Sequence, residues 1–227
     1  MSFVVRRVGL LIISIVLVAM LGLTACVPAW GQPGWGGGMM GSGGGMMGGG
    51  WGDYNRNPNT QPITIDQAAD AARSYVSRYG KNLALTEVMD FAWNFYAEAV
   101  EKDTGIRAME LIIDKYTGQV SAEMGPDTMW NAKYSPMAGM MGGIYYTGRS
   151  PTANMSVSPE QARVLAQQFL DANLPGVTVA EADTFYGYYT LHTLRNGQIE
   201  GMLSINGNSG AVWYHTWHGT FIGMKEF

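Results

Sequence analysis

One pattern appears twice in this chain, from Thr64 to Val120 and again from Ser158 to Val212. The first copy opens with Thr64-Ile65-Asp66-Gln67-Ala68 and the second with Ser158-Pro159-Glu160-Gln161-Ala162. They close with Ile113-Asp114-Lys115-Tyr116-Thr117-Gly118-Gln119-Val120 and Ile205-Asn206-Gly207-Asn208-Ser209-Gly210-Ala211-Val212. Repetition of this kind limits the fold to two copies of one supersecondary unit. Units of roughly 60 to 70 residues bury little core alone, so the two are expected to pack on each other or on a partner.

Each copy begins with a capping box, Thr64 with Gln67 and Ser158 with Gln161, and Pro159 takes the first helical position, where its missing N–H costs nothing. Ile65, Ala68, Ala69, Ala72, Tyr75, Val76 and Tyr79 recur at helical steps up to Gly80, and Ala162, Leu165, Ala166, Phe169 and Leu170 do so in the second copy. From Phe91 the period becomes two. Phe91, Trp93, Phe95, Ala97 and Ala99 form one strand face, and Asn94, Glu98 and Glu101 are placed on the wetter side. Turns at 102–105 and 115–118 separate this strand from two more. In the second copy strands are expected at about 184–194, 199–206 and from 211 onward, with Asn196-Gly197 at the first turn. The pattern predicts an α+β fold of two modules, residues 63–124 and 157–227. Each is one helix on a three-stranded antiparallel sheet whose other face is partly wet.

The opening T/S-x-D/E-Q-A, the aromatic strands around Phe95-Tyr96 and Tyr188-Tyr189, and the closing I-D/N-x-x-[TS]-G-x-V resemble the PepSY domain of thermolysin-like peptidase propeptides and bacterial envelope proteins. The resemblance implies a cystatin-like fold and a binding or inhibitory role toward a protease or membrane partner. It does not imply peptidase activity: there is no His-Glu-x-x-His, and every histidine follows residue 190.

Arg6-Arg7 and the apolar run from Val8 to Leu23 have the form of a secretory signal over residues 1–25. Leu23-Thr24-Ala25-Cys26 resembles a bacterial lipobox, which predicts acylation of Cys26, with chains such as palmitate, and a lipid-anchored extracytoplasmic protein of the bacterial cell envelope. Cys26 is the single cysteine, so no internal disulfide is expected. Residues 26–62 read as a flexible Gly/Met-rich tether, and residues 125–156 as a Met/Gly/Tyr-rich linker. The whole chain carries a formal charge of −4, and losing the segment before Cys26 removes two arginines, which argues against a nucleic-acid partner.

Candidate chemistry is sparse. His215 and His218 fall on opposite faces of a continuous strand, so sharing a metal needs a bend after Trp217, which Gly219 marks. With Met137, Met140 and Met141 they make a candidate copper site of nitrogen and sulfur donors. Trp93, Tyr96, Tyr186, Tyr188 and Trp213 are candidates for a partner-docking surface, and are equally explicable as packing between modules. The carboxylate pairs Glu181/Asp183 and Glu98/Glu101 are placed on exposed faces. No nucleophile, base and orienter are grouped in a recognisable order. Trp217 and Phe221 after the second module match the spacing of Trp130 and Tyr134 after the first, so each module has an aromatic tail that closes over its own sheet or its neighbour's. The expected function is a non-enzymatic binding or regulatory lipoprotein, protease inhibition included. The alternative is a periplasmic copper-buffering protein using Met and His.

Overall fold

The computed structural model describes residues 60–137 and 154–227, all within one compact unit, Gly49–Phe227. The leader, Cys26, nearly all of the tether, Met140 and Met141 lie outside the described residues. Both capping boxes form. Thr64 Oγ1 accepts from the Gln67 backbone at the start of α1 (Ile65–Ser77), and Ser158 Oγ accepts from Gln161 at the start of α3 (Pro159–Asn173). Between them run β1 (Leu83–Phe91), β2 (Asn94–Glu101), β3 (Arg107–Asp114), β4 (Val120–Ala122) and the short α2 (Pro126–Trp130). After α3 come β5 (Val177–Thr184), β6 (Tyr188–Arg195), β7 (Gln198–Asn206), β8 (Val212–Tyr214) and β9 (Phe221–Glu226). Among the described residues no helix is long and apolar enough to cross a membrane.

The fold is α+β with antiparallel sheets, but the sheets are not three-stranded: one has five strands in the order β4-β3-β2-β1-β9 and the other four in the order β5-β6-β7-β8. Two causes account for the difference. β1 and β5 follow their helices directly, and each carries a register shift, between Leu85 and Glu87 and between Val179 and Ala182, which breaks the alternation that would mark a strand in sequence. Moreover, β9 follows the second copy of the repeat yet pairs with β1 of the first, with Met89 opposite Met224 and Val88 opposite Lys225.

Small side chains let each helix lie close to its sheet. α1 buries Ala68, Ala69, Ala72 and Val76 against Val88, Phe95, Ala97, Leu111 and Ile113, and α3 buries Ala162, Ala166 and Leu170 against Tyr189, Leu191, Leu203 and Ile205. The opposite sheet faces, expected to be partly wet, meet each other. Tyr96, Ile112 and Met89 of one pack with Met202 of the other, giving the layers helix, sheet, sheet, helix. Glu98 and Glu101 are therefore buried rather than exposed, at 0% and 2% relative exposure, which corrects the sequence reading. Alternation reports which residues share a face. It does not report whether water or a second sheet covers that face.

The aromatic tail after the first module closes over the second. Ala132 N–H donates to Tyr186 O at 2.8 Å, and the Trp130 ring meets Tyr188 and Trp213 edge-on. Gly187 makes the approach possible, since at φ 104° a Cβ there would lie 2.5 Å from Trp130 O. Gly187→Ala is expected to destabilise the fold by roughly 2–5 kcal/mol, combining left-handed strain with overpacking. Urea unfolding checks this, and an unchanged midpoint would show that the tail is not held there.

Candidate metal centre

The tail after the second module builds the site. His215 N–H donates to Met202 O at 3.1 Å, and Glu123 N–H donates to Glu110 O at 2.9 Å, so each residue extends a short terminal strand by one position. These positions correspond across the repeat: Ile113 pairs with Val120 and Leu111 with Ala122, as Ile205 pairs with Val212 and Leu203 with Tyr214. Internal duplication thus places Glu123 on one sheet and His215 on the other. His218 joins them from the crossover into β9, where Trp93 N–H donates to His218 O at 3.0 Å and Gly219 turns the chain at φ 79°.

Glu123, His215 and His218 are all buried. Glu123 Oε1 lies 3.0 Å from His218 Nε2 and 3.5 Å from His215 Nδ1. Four-coordinate zinc, with bonds near 2.0–2.1 Å to nitrogen and oxygen, holds its donors about 3.3 Å apart, so these separations match the edges of a tetrahedron. Among the described residues His215 Nδ1, His218 Nε2 and Glu123 Oε2 have no hydrogen-bond partner. Orphaned ligand atoms converging in a dry site are unusual unless something joins them.

The outer hydrogen bonds aim both rings. Asn94 Nδ2 donates to Trp217 O at 2.8 Å, which leaves Asn94 Oδ1 to accept from His218 Nδ1 at 2.9 Å, so the lone pair of a neutral His218 points at Glu123. On the other side Thr190 Oγ1 donates to Glu110 at 2.8 Å, so the Thr190–Ser204 contact at 2.8 Å takes the Ser204 proton, and Ser204 Oγ, 3.0 Å from His215 Nε2, is left to accept. His215 then presents Nδ1 as its lone pair. Trp217 Nε1 donates to Glu123 Oε1 at 2.9 Å, while Phe91 stacks on His218 and Trp217 on His215, each with ring centroids 4.7 Å apart. Orienting partners on every ligand are the usual surroundings of a bound metal. Burial pushes the His218 imidazole down toward its neutral, ligating form, against the opposing pull of Glu123. Burial alone would raise Glu123, but when the imidazoles carry a proton toward it in place of an ion they outweigh burial and hold the carboxyl well below its usual range.

A second cluster looks alike and differs in one respect. Glu87, Glu98 and His192 also converge, with His192 Nε2 3.3 Å from Glu87 Oε1. There Arg107 lies 2.9 Å from Glu98 and 2.7 Å from Asp183, so the protein supplies its own cation. Among the described residues the charge partners of Glu123 are the two histidines alone.

The structure brings His215 and His218 together with Glu123, which the sequence reading missed. Its signal was its place in the repeat, opposite His215. Met137 is half-buried in the turns after α2. Of the docking candidates, Trp93 is 55% exposed and Trp213 is 37% exposed. Tyr96, Tyr186 and Tyr188 are buried, which removes them from any outer surface of this fold. Their hydroxyls bind carboxylates between the sheets: Tyr96 to Glu98 and Glu110, Tyr188 to Glu110 and Asp127, and Tyr186 to Glu101.

No family model matches the chain. No curated protein matches it either. Among solved structures it is similar to the Bacillus megaterium YpeB C-terminal domain at 13% sequence identity and TM-score 0.23, over 67% of this chain and 62% of that one. This chain thus spans less than two thirds of that domain, and at that TM-score the likeness defines neither fold nor function.

Proposed function

We propose that this chain is a non-enzymatic, lipid-anchored protein of the bacterial envelope whose folded part is a metal-dependent binding or regulatory module. It holds one divalent transition-metal ion through Glu123, His215 and His218. The observation that carries the reading is the convergence of His215 Nδ1 and His218 Nε2, both buried and without a hydrogen-bond partner among the described residues, on the buried Glu123 carboxylate at 3.5 and 3.0 Å. Two imidazoles and a carboxylate suit a divalent ion such as zinc or copper(II), whereas the copper(I) expected of a methionine site prefers thioethers. Three donors at these separations leave one corner of the tetrahedron, and the burial of all three ligands keeps substrate from it, which fits a structural ion rather than a catalytic one. The two halves are read as PepSY-like, cystatin-type units, supported by the paired capping boxes, the matching turns and a helix packed on each sheet.

Equilibrium dialysis of the full chain in detergent, after chelator treatment, tests the metal reading with zinc as probe. One zinc per chain is expected, with affinity falling on the order of 100-fold or more in His218→Ala, beyond the 10–100-fold typical of losing an orienting partner. Binding by the variant as tight as by the parent chain would overturn it.

A further inference from the structure

We infer that the ion decides whether β9 stays on its own β1 or is exchanged with a second copy of this chain. The inference rests on the metal reading above. β9 is held chiefly by β1 and α1, and its Phe221 and Met224 also meet Met202 and Ile199 of β7, a surface that a second copy presents as well. Val88 faces Lys225 in the ladder, Lys225 Nζ lies 2.5 Å from Asp66, Phe227 N–H donates to Thr86 O at 2.8 Å, and the Arg73 guanidinium sits 4.2 Å from the centre of the Phe227 ring. A second copy presents the same acceptor, so exchanging the strand keeps all of these contacts, which makes swapping a low-cost route to a dimer.

What limits exchange is the reach of the crossover. With His218 fixed to the ion, only Gly219 and Thr220 are free to act as a hinge, and two residues span at most about 7 Å. With the ion gone, residues 216–220 can extend together, and five residues span about 17 Å, enough to cross to a neighbouring molecule. Hydrogen bonds alone then restrain the crossover, among them Trp93 N–H to His218 O, Ala92 N–H to Thr220 O, Asn94 Nδ2 to Trp217 O, His218 Nδ1 to Asn94 Oδ1 and Trp217 Nε1 to Glu123 Oε1. The partner is this chain itself, because the acceptor is already shaped to β9 in register.

Val88 and Lys225 are opposite each other, so Val88→Cys with Lys225→Cys reports which chain supplies β9. The variant is made with Cys26→Ser, which removes the only native thiol. It is reduced, concentrated with zinc or with chelator, oxidised and run on a non-reducing gel, and bound zinc is measured on the same samples by atomic emission. The zinc-loaded chain is expected to close its disulfide within one molecule. The chelated chain, and His218→Ala with zinc present, are expected to give at least tenfold more inter-chain dimer. Equal dimer with and without zinc overturns the inference. One zinc bound per chain with no dimer in chelator overturns exchange alone, whereas failure to retain zinc removes the metal reading and this inference with it.

Discussion

Replacing Glu101 by alanine is expected to lower the melting temperature by roughly 6–20 °C, since losing one partner of a buried ion pair costs about 3–5 kcal/mol and each kcal/mol moves Tm by about 2–4 °C at this size. Glu101 ends β2, and its carboxylate accepts from Lys133 Nζ at 2.5 Å, Tyr186 OH at 2.6 Å, Thr104 Oγ1 at 2.8 Å and also from Tyr134 OH. One side chain thereby gathers the β2–β3 turn, the tail after α2 and the entry to β6. Removing it strands an ammonium and two phenols. Lys133 is 37% exposed and can turn to water, which places the loss at the lower end of that range. Glu101→Gln keeps an acceptor without the charge and is expected to lose about half as much. Differential scanning calorimetry decides it, and a shift under about 2 °C for the alanine variant would mean that the cluster contributes no net stability.

Thermal stability in chelator is expected to peak at mildly acidic pH, around 5, and to fall as the pH approaches about 8. The hydroxyl of Tyr96 lies 2.7 Å from Glu98 Oε1 and 2.7 Å from Glu110 Oε1. One phenol proton serves only one of them, so the other contact needs a proton on a carboxyl. Burial, together with the charges of Glu87 and Asp183, pushes Glu98 up to about 8 against the opposing Arg107. Burial pushes Asp127 up to about 7, although Asn131 donates to it. Both groups hold a proton in the fold over a range where the unfolded chain, at 4.5 and 3.8, has lost it, so raising the pH through that range favours unfolding. His192 acts in the same direction. Burial by itself lowers it, but Glu87 outweighs burial and raises it, so its contribution is complete below 6.5 and lost as pH rises past the folded value. On the acid side Glu101 opposes this. Its burial is outweighed by Lys133 and three hydroxyl donors, which hold it down at about 2, so its stabilisation is present above 4.5 and lost as pH falls toward 2. A melting temperature that is flat or rising between about pH 5 and 8 would show that the carboxyls between the sheets are ionised throughout.

How much of this was legible in the sequence differs from element to element. The helices were, because capping boxes and alanine stripes are local chemistry, and so was the Asn196-Gly197 turn, where both residues adopt positive φ. β1 and β5 were not, because a bulge resets the alternation partway along each. The burial of Glu98 and Tyr96 was hidden for another reason. A strand that alternates apolar and polar residues reads the same whether its polar side meets solvent or another polar sheet, and only partners from the other half, such as Thr190 on Glu110, distinguish the two. In the metal centre the histidine pair and the required bend were visible. Glu123 was not found, because its relation to His215 lies in the register of the repeat and not in any spacing between ligands.

The borrowed strand has a consequence for biogenesis. The β1 edge of the first sheet is covered only by Phe221–Glu226, so the earlier half is incomplete in any chain that lacks the last strand of the later one. A nick or early stop after Tyr214 would therefore harm the first sheet more than the second, and an open backbone edge is a surface on which nascent neighbours associate.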